Sequence, residues 1–127
     1  LQPQPAWFNW AKTALLEAYD AGGLAGFARP SSGLIATGDR FIGDAAVLQT
    51  LRNDLPGLRA VEMEGAAVAQ VAEQEGIPWL VLRVISDGAD EAAAQSFEDF
   101  LQRYEQQAWR LIEALLQRCD VAPRRCA

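Results

Sequence analysis

Three short stretches hold the side chains best suited to chemistry: Thr37-Gly38-Asp39-Arg40-Phe41-Ile42, Glu62-Met63-Glu64-Gly65 and Ser86-Asp87-Gly88-Ala89-Asp90. Each lies at the carboxyl end of a candidate β-strand. In an open α/β sheet the ligand lies beyond the carboxyl ends of the strands, so this order collects carboxylates, a hydroxyl, an aromatic ring and a thioether on one edge. The chain has no His. That removes His general bases, Ser-His-Asp and Cys-His nucleophile systems and His-ligated zinc, and leaves proton transfer to carboxylates. The same residues also admit a structural account. Glu62 and Glu64 sit where a helix begins and would stabilise its dipole, Ser86 and Asp87 suit turns and caps, Phe41 suits a core, and Asp39 and Asp90 suit turn or cap positions.

The elements that must position these groups follow from periodicity. Apolar positions Trp7, Trp10, Ala11, Ala14, Leu15 and Ala18 recur at helical spacing, and Gly22 and Gly23 end that helix. The run from Gly33, closed by Gly38, predicts a buried strand, and Asp44 caps a helix over 45–54 that Pro56 halts. Residues 58–63 predict a second strand running straight into a helix from Gly65 that Gly76 closes. Residues 78–85, apolar except for Arg83, predict a third strand covered on both faces, with Trp79 packed inside it. From Ser96, in a capping-box pattern with Asp99, one long helix is expected, with Phe97, Phe100, Leu101, Tyr104, Ala108, Leu111, Ile112, Leu115 and Leu116 on its apolar face and Trp109 packing beside it. The alternation predicts an α/β fold, a mostly parallel (mixed) sheet flanked by helices.

Taken together, Thr-Gly-Asp-Arg-Phe-Ile, Val-Glu-Met-Glu-Gly-Ala-Ala and Arg-Val-Ile-Ser-Asp-Gly-Ala-Asp stand in the order and spacing of one family. From about Gly33 to Leu116 the sequence resembles the C-terminal half of the 5'-methylthioadenosine/S-adenosylhomocysteine nucleosidases, within the purine nucleoside phosphorylase superfamily. The resemblance implies a phosphorylase/hydrolase-like fold and hydrolysis of the N-ribosidic bond of adenine nucleosides, releasing adenine. It implies that Phe41 stacks on the purine while the backbone at Ile42 meets the base edge. Glu64 would hold the ribose hydroxyls, Met63 pack on the sugar and Glu62 line the site. Asp87, supported by Ser86, would supply the proton at purine N7; Arg83 would lie in the pocket, and Phe97 would wall the base and the 5' substituent. A carboxylate suits two vicinal hydroxyls because it only accepts and has two oxygens. For Asp87 to act as an acid near neutral pH, burial or the neighbouring carboxylates must raise its pKa. No metal or cofactor is implied, and a homodimer is. The water-activating Glu belongs to the family's N-terminal half. Two other functions stay open at this point: a phosphate-dependent purine nucleoside phosphorylase, and a catalytically incomplete nucleoside-binding or storage relative.

Composition narrows the partners. Against 17 acidic residues stand 11 basic ones, Lys12 and ten Arg, for a formal charge of -6, which offers no basic face for nucleic acid. No apolar run approaches the roughly 18 residues of a membrane span, no secretory signal is visible, and a cytoplasmic location is expected. Cys119 and Cys126 lack companion ligands and read as thiols of a loose tail over 119–127. The only Met is Met63 and the chain opens Leu-Gln-Pro-Gln-Pro; with three strands where such sheets have about five or six, residues 1–127 read as the C-terminal portion of a larger single domain.

Overall fold

The computed structural model describes residues 1–86, 88 and 93–124. Its elements run α1 (Pro5–Asp20), β1 (Leu34–Thr37), α2 (Ala45–Asp54), β2 (Leu58–Glu62), α3 (Gly65–Gln74), α4 (Ala93–Tyr104), α5 (Trp109–Leu116) and a short 3-10 turn, Cys119–Val121. The strand–helix alternation is the α/β arrangement predicted from periodicity. Two compact units share the chain: one comprises 1–31, 69–80 and 106–127, the other 32–68 and 81–105.

The first unit holds the apolar core. Pro5 opens α1 at the position where a missing N–H costs nothing, and Ala11, Ala14 and Leu15 line its buried stripe. Leu24, Ala69, Leu111 and Ala114 complete the seven buried apolar residues among those described. α1 packs on α5. Small residues on both helices let the backbones approach, and polar contacts fix the pairing: the Trp10 indole N–H donates to the Arg118 carbonyl at 2.8 Å, and Arg118 pairs with Glu17 at 3.3 Å. A half-buried indole of this kind satisfies its one donor while its rings contribute apolar contact.

In the second unit β1 and β2 form a parallel pair, with α2 as the crossover that parallel strands require. Leu34 faces Leu58, Ile35 faces Ala60, Ala36 faces Val61 and Thr37 faces Glu62, with an irregularity between Leu34 and Ile35. α2 begins where predicted: the Asp44 carboxylate accepts the N–H groups of Ala46 at 2.7 Å and Val47 at 3.3 Å, two donors that a helix start leaves without internal partners.

Several sequence expectations are corrected. β1, expected as a buried strand, is exposed at Leu34 and Thr37 and half-buried at Ile35 and Ala36. Residues 78–85 form no strand: among the described residues the sheet has two strands, both parallel. The run divides at Leu80/Val81 between the two units, so no sheet takes it up, and Leu82 and Ile85 are exposed rather than covered, with Trp79 half-buried. The single long helix is two helices. α4 begins at Ala93, three residues before Ser96, and ends at Tyr104; Arg110 and Leu111 then bond three residues back, to Gln107 and Ala108, and start α5. No Pro or Gly stands at 105–108. The apolar stripe breaks because its two ends serve different units: Phe97, Phe100 and Tyr104 stack on α4, while Leu111 and Ala114 are buried. Tertiary packing overrides local propensity here. Trp109, expected as a packing residue, is exposed.

Two measurements check this account. Leu24 is 1% exposed, so Leu24→Ala is expected to cost about 2 to 5 kcal/mol in urea unfolding. Asp44→Ala, which removes a cap without opening a cavity, is expected to cost about 1 kcal/mol; equal effects of the two substitutions would contradict the placement of the core.

Candidate active site

The carboxyl ends of β1 and β2 lie side by side, with Thr37 opposite Glu62. After β2 the chain turns through Met63 and Glu64 into α3, and the Glu62 carboxylate folds back over this turn. Its Oε2 accepts the N–H of Glu64 at 3.1 Å and of Gly65 at 2.7 Å. Its Oε1 accepts the Thr37 hydroxyl, whose oxygen in turn accepts the Ala66 N–H at 2.9 Å. Arg83 Nη2 donates to Glu62 Oε2 and, at 3.0 Å, to Glu64 Oε2. A Cβ at Gly65 would lie 2.9 Å from Glu62 Oε1, so a larger residue there would displace the carboxylate.

The two glutamates therefore differ in kind. The Glu62 side chain is 9% exposed and that of Glu64 66%. Burial pushes the Glu62 carboxyl upward, but the hydrogen bonds from Thr37, from the Glu64 and Gly65 N–H groups and from Arg83 together outweigh it and hold the carboxyl below its ordinary range. Glu62 stays ionised with its oxygens taken up by protein donors. Glu64 presents its carboxylate to solvent, steadied by Arg83. Two carboxylates against one guanidinium leave this edge net negative.

The remaining predicted residues flank the cluster in sequence. Phe41 is exposed and Ile42 half-buried on the loop after β1; Met63 is exposed in the turn, and Ser86 is half-buried. Phe97 is exposed on α4, its ring 6.4 Å from that of Phe100, which stacks on Tyr104 at 4.9 Å. Asp87 lies outside the described residues. Among the described residues no group of three or more His, Cys, Asp or Glu is placed to hold a metal ion, and no helix is long and apolar enough to cross a membrane. The sequence reading assigned Thr37 no role. A hydroxyl at the last position of one strand, in register with a carboxylate at the last position of the next, is the signal that finds it.

A profile of the phosphorylase superfamily matches residues 1–117. The chain belongs to the phosphorylase superfamily. Within that superfamily it is 43% identical over 86 residues to the 5'-methylthioadenosine/S-adenosylhomocysteine nucleosidase of Anoxybacillus flavithermus, a match covering 68% of this chain and 37% of that protein. The nucleosidase of Colwellia psychrerythraea, solved in complex with adenine, superposes with a TM-score of 0.77 at 30% identity over 92% of this chain and 46% of that one. The futalosine hydrolase of Helicobacter pylori gives 0.76 at 32% identity over 92% and 46%. The match thus spans well under half the length of the curated relative and just under half of each of the two solved proteins.

The charge state of Glu62 gives a pH test. A carboxyl whose pKa is lowered on folding adds stability that is complete above its unfolded value, ordinarily 4.5, and is lost as pH falls through the folded value. The urea midpoint of the native chain is expected to fall below about pH 4.5 more steeply than that of Glu62→Gln; parallel profiles between pH 3 and 6 would contradict the network.

Proposed function

We propose that this chain supplies the ribose- and base-holding part of a nucleosidase that hydrolyses the N-ribosidic bond of 5'-methylthioadenosine/S-adenosylhomocysteine-type adenine nucleosides and releases adenine. The observation that carries this reading is the exposed Glu64 carboxylate, steadied by Arg83 at the carboxyl edge of a parallel sheet beside the largely covered carboxylate of Glu62. A carboxylate held in this way suits two vicinal hydroxyls. The similarity to proteins named as nucleosidases, one of them solved with adenine, supports the substrate class.

In this reading Phe41 stacks on the purine, the backbone at Ile42 meets its edge, Met63 packs on the sugar and Phe97 walls the 5' substituent. Glycosidic cleavage passes through an oxocarbenium-like state, and the net negative edge formed by Glu62, Glu64 and Arg83 favours the cationic ribosyl over the neutral nucleoside. Asp87, oriented by Ser86, gives the proton to purine N7 so that adenine leaves neutral. The group that activates water is assigned to the rest of a larger domain of which residues 1–127 form one portion, a reading supported by the share of each relative that the chain covers. The reading includes a cytoplasmic homodimer, as the family resemblance implies, and needs neither metal nor redox cofactor.

Adenine release by the protein carrying this chain, assayed with and without inorganic phosphate, tests the reaction. Release independent of phosphate is expected; a phosphate requirement would make it a phosphorylase, and tight nucleoside binding without release a binding or storage relative. Asp87→Asn is expected to lower turnover by about 10²- to 10⁴-fold, the usual range for a lost general acid, and near-normal turnover would remove Asp87 from that role. Glu64→Ala is expected to depress cleavage of the ribonucleoside more than of its 2'-deoxy analogue; equal losses would argue against ribose recognition by Glu64.

A further inference from the structure

We infer that Thr37 is a positioning residue for the nucleoside site, its hydroxyl locking the Glu62–Arg83–Glu64 chain to the start of α3. This rests on the reading of the site as that of a nucleosidase. A hydroxyl has one proton to give and lone pairs to accept with. The Ala66 N–H comes to the Thr37 oxygen at 2.9 Å, and the hydroxyl proton is donated to Glu62 Oε1. The N–H groups of Glu64, Gly65 and Ala66 at the start of α3 are thereby all satisfied by two side chains, one from the end of each strand. Thr37 touches both the strand-end carboxylate and the helix.

The direction of donation matters. Glu62 is an anion and can only accept, so Thr37, two backbone N–H groups and Arg83 all converge on it. Thr37 holds one carboxylate oxygen while Arg83 shares its Nη2 between the other and Glu64. Removing the hydroxyl leaves Glu62 Oε1 without that donor and frees the carboxylate plane to turn. Arg83 then loses its fixed anchor, and with it Glu64, the group proposed to hold the ribose. Thr37 itself need not touch the substrate for its loss to be felt.

The test uses the protein carrying this chain, assayed by adenine release from 5'-methylthioadenosine. Thr37→Val keeps the shape and deletes the hydroxyl; Thr37→Ala makes the same comparison should the Val variant aggregate. The expected loss in kcat/KM is about 10- to 100-fold, the scale of a misplaced binding group, and Thr37→Ser is expected to recover most of it. In a Glu64→Ala background the ribose acceptor that Thr37 positions is gone, so the same Thr37 substitution is expected to change kcat/KM by no more than about twofold, within additivity error. An equal fold-loss in both backgrounds would make Thr37 structural only and overturn the proposal, as would a Thr37→Val protein as active as its parent. A parent that releases no adenine at all would instead fail the nucleosidase reading and take this proposal with it.

Discussion

A carboxylate withdrawn from solvent needs donors, and Glu62 finds them on three other parts of the chain. A strand hydroxyl, the first N–H groups of a helix and a distant guanidinium meet on its two oxygens. A carboxylate so largely covered is costly to leave without partners, so the ends of β1 and β2, the entry to α3 and Arg83 are constrained together. The polar edge is therefore organised before any ligand arrives. Its division of labour, one glutamate turned inward as a hub and one outward as an acceptor, follows from which carboxylate the helix start can reach.

Most of the elements were legible in the sequence, because each rests on local signals. Pro5 and Gly22 bracket α1, Asp44 caps α2, and the apolar runs ending in Gly38 and at Glu62 form the two strands. What failed depended on partners that no local signal encodes. Residues 78–85 are apolar enough for a buried strand, but a strand exists only where a neighbour accepts its ladder. The stripe from Phe97 to Leu116 is continuous as a pattern, yet its ends belong to separate units. At the site, the residue types pointed to Glu62 and Glu64 as a pair. Their unequal exposure, and the part played by Thr37, arise from strand register and from where α3 starts, neither of which is written in the spacing of the motifs.

Apolar surface is distributed unevenly. All seven buried apolar residues among those described lie in the unit built around α1 and α5, while exposed ones occur in both units, Val71 and Ile77 in that one and Val68, Ile85 and Leu101 in the other. Contiguous apolar surface on a folded chain marks a place where something packs. α5 illustrates this on one helix: Leu111 and Ala114 are covered, whereas Trp109, Ile112 and Leu116 face out and line a shallow groove with Glu113 and Gln117. With a match that covers 37% of the Anoxybacillus flavithermus relative and 46% of the Colwellia psychrerythraea one, this surface fits the proposal that the 127 residues work as one portion of a larger domain.

The irregularity at the start of the β1–β2 pair has a consequence for how the chain can vary. Leu34 opposes Leu58, but Ile35 opposes Ala60, so Arg59 is the extra residue. Such an insertion resets parity: every later residue of β1 meets a β2 partner one position further along than an unbroken ladder would place it. Without it Thr37 would face Val61, and the Glu62 carboxylate would be out of step with the hydroxyl. Gly33 marks the same spot, since a Cβ there would collide with the Arg59 side chain. The crossover through α2 can therefore gain or lose residues with little effect on the edge, whereas the five residues of β2 tolerate no change of count. Along this chain, length is free between the strands and quantised within them.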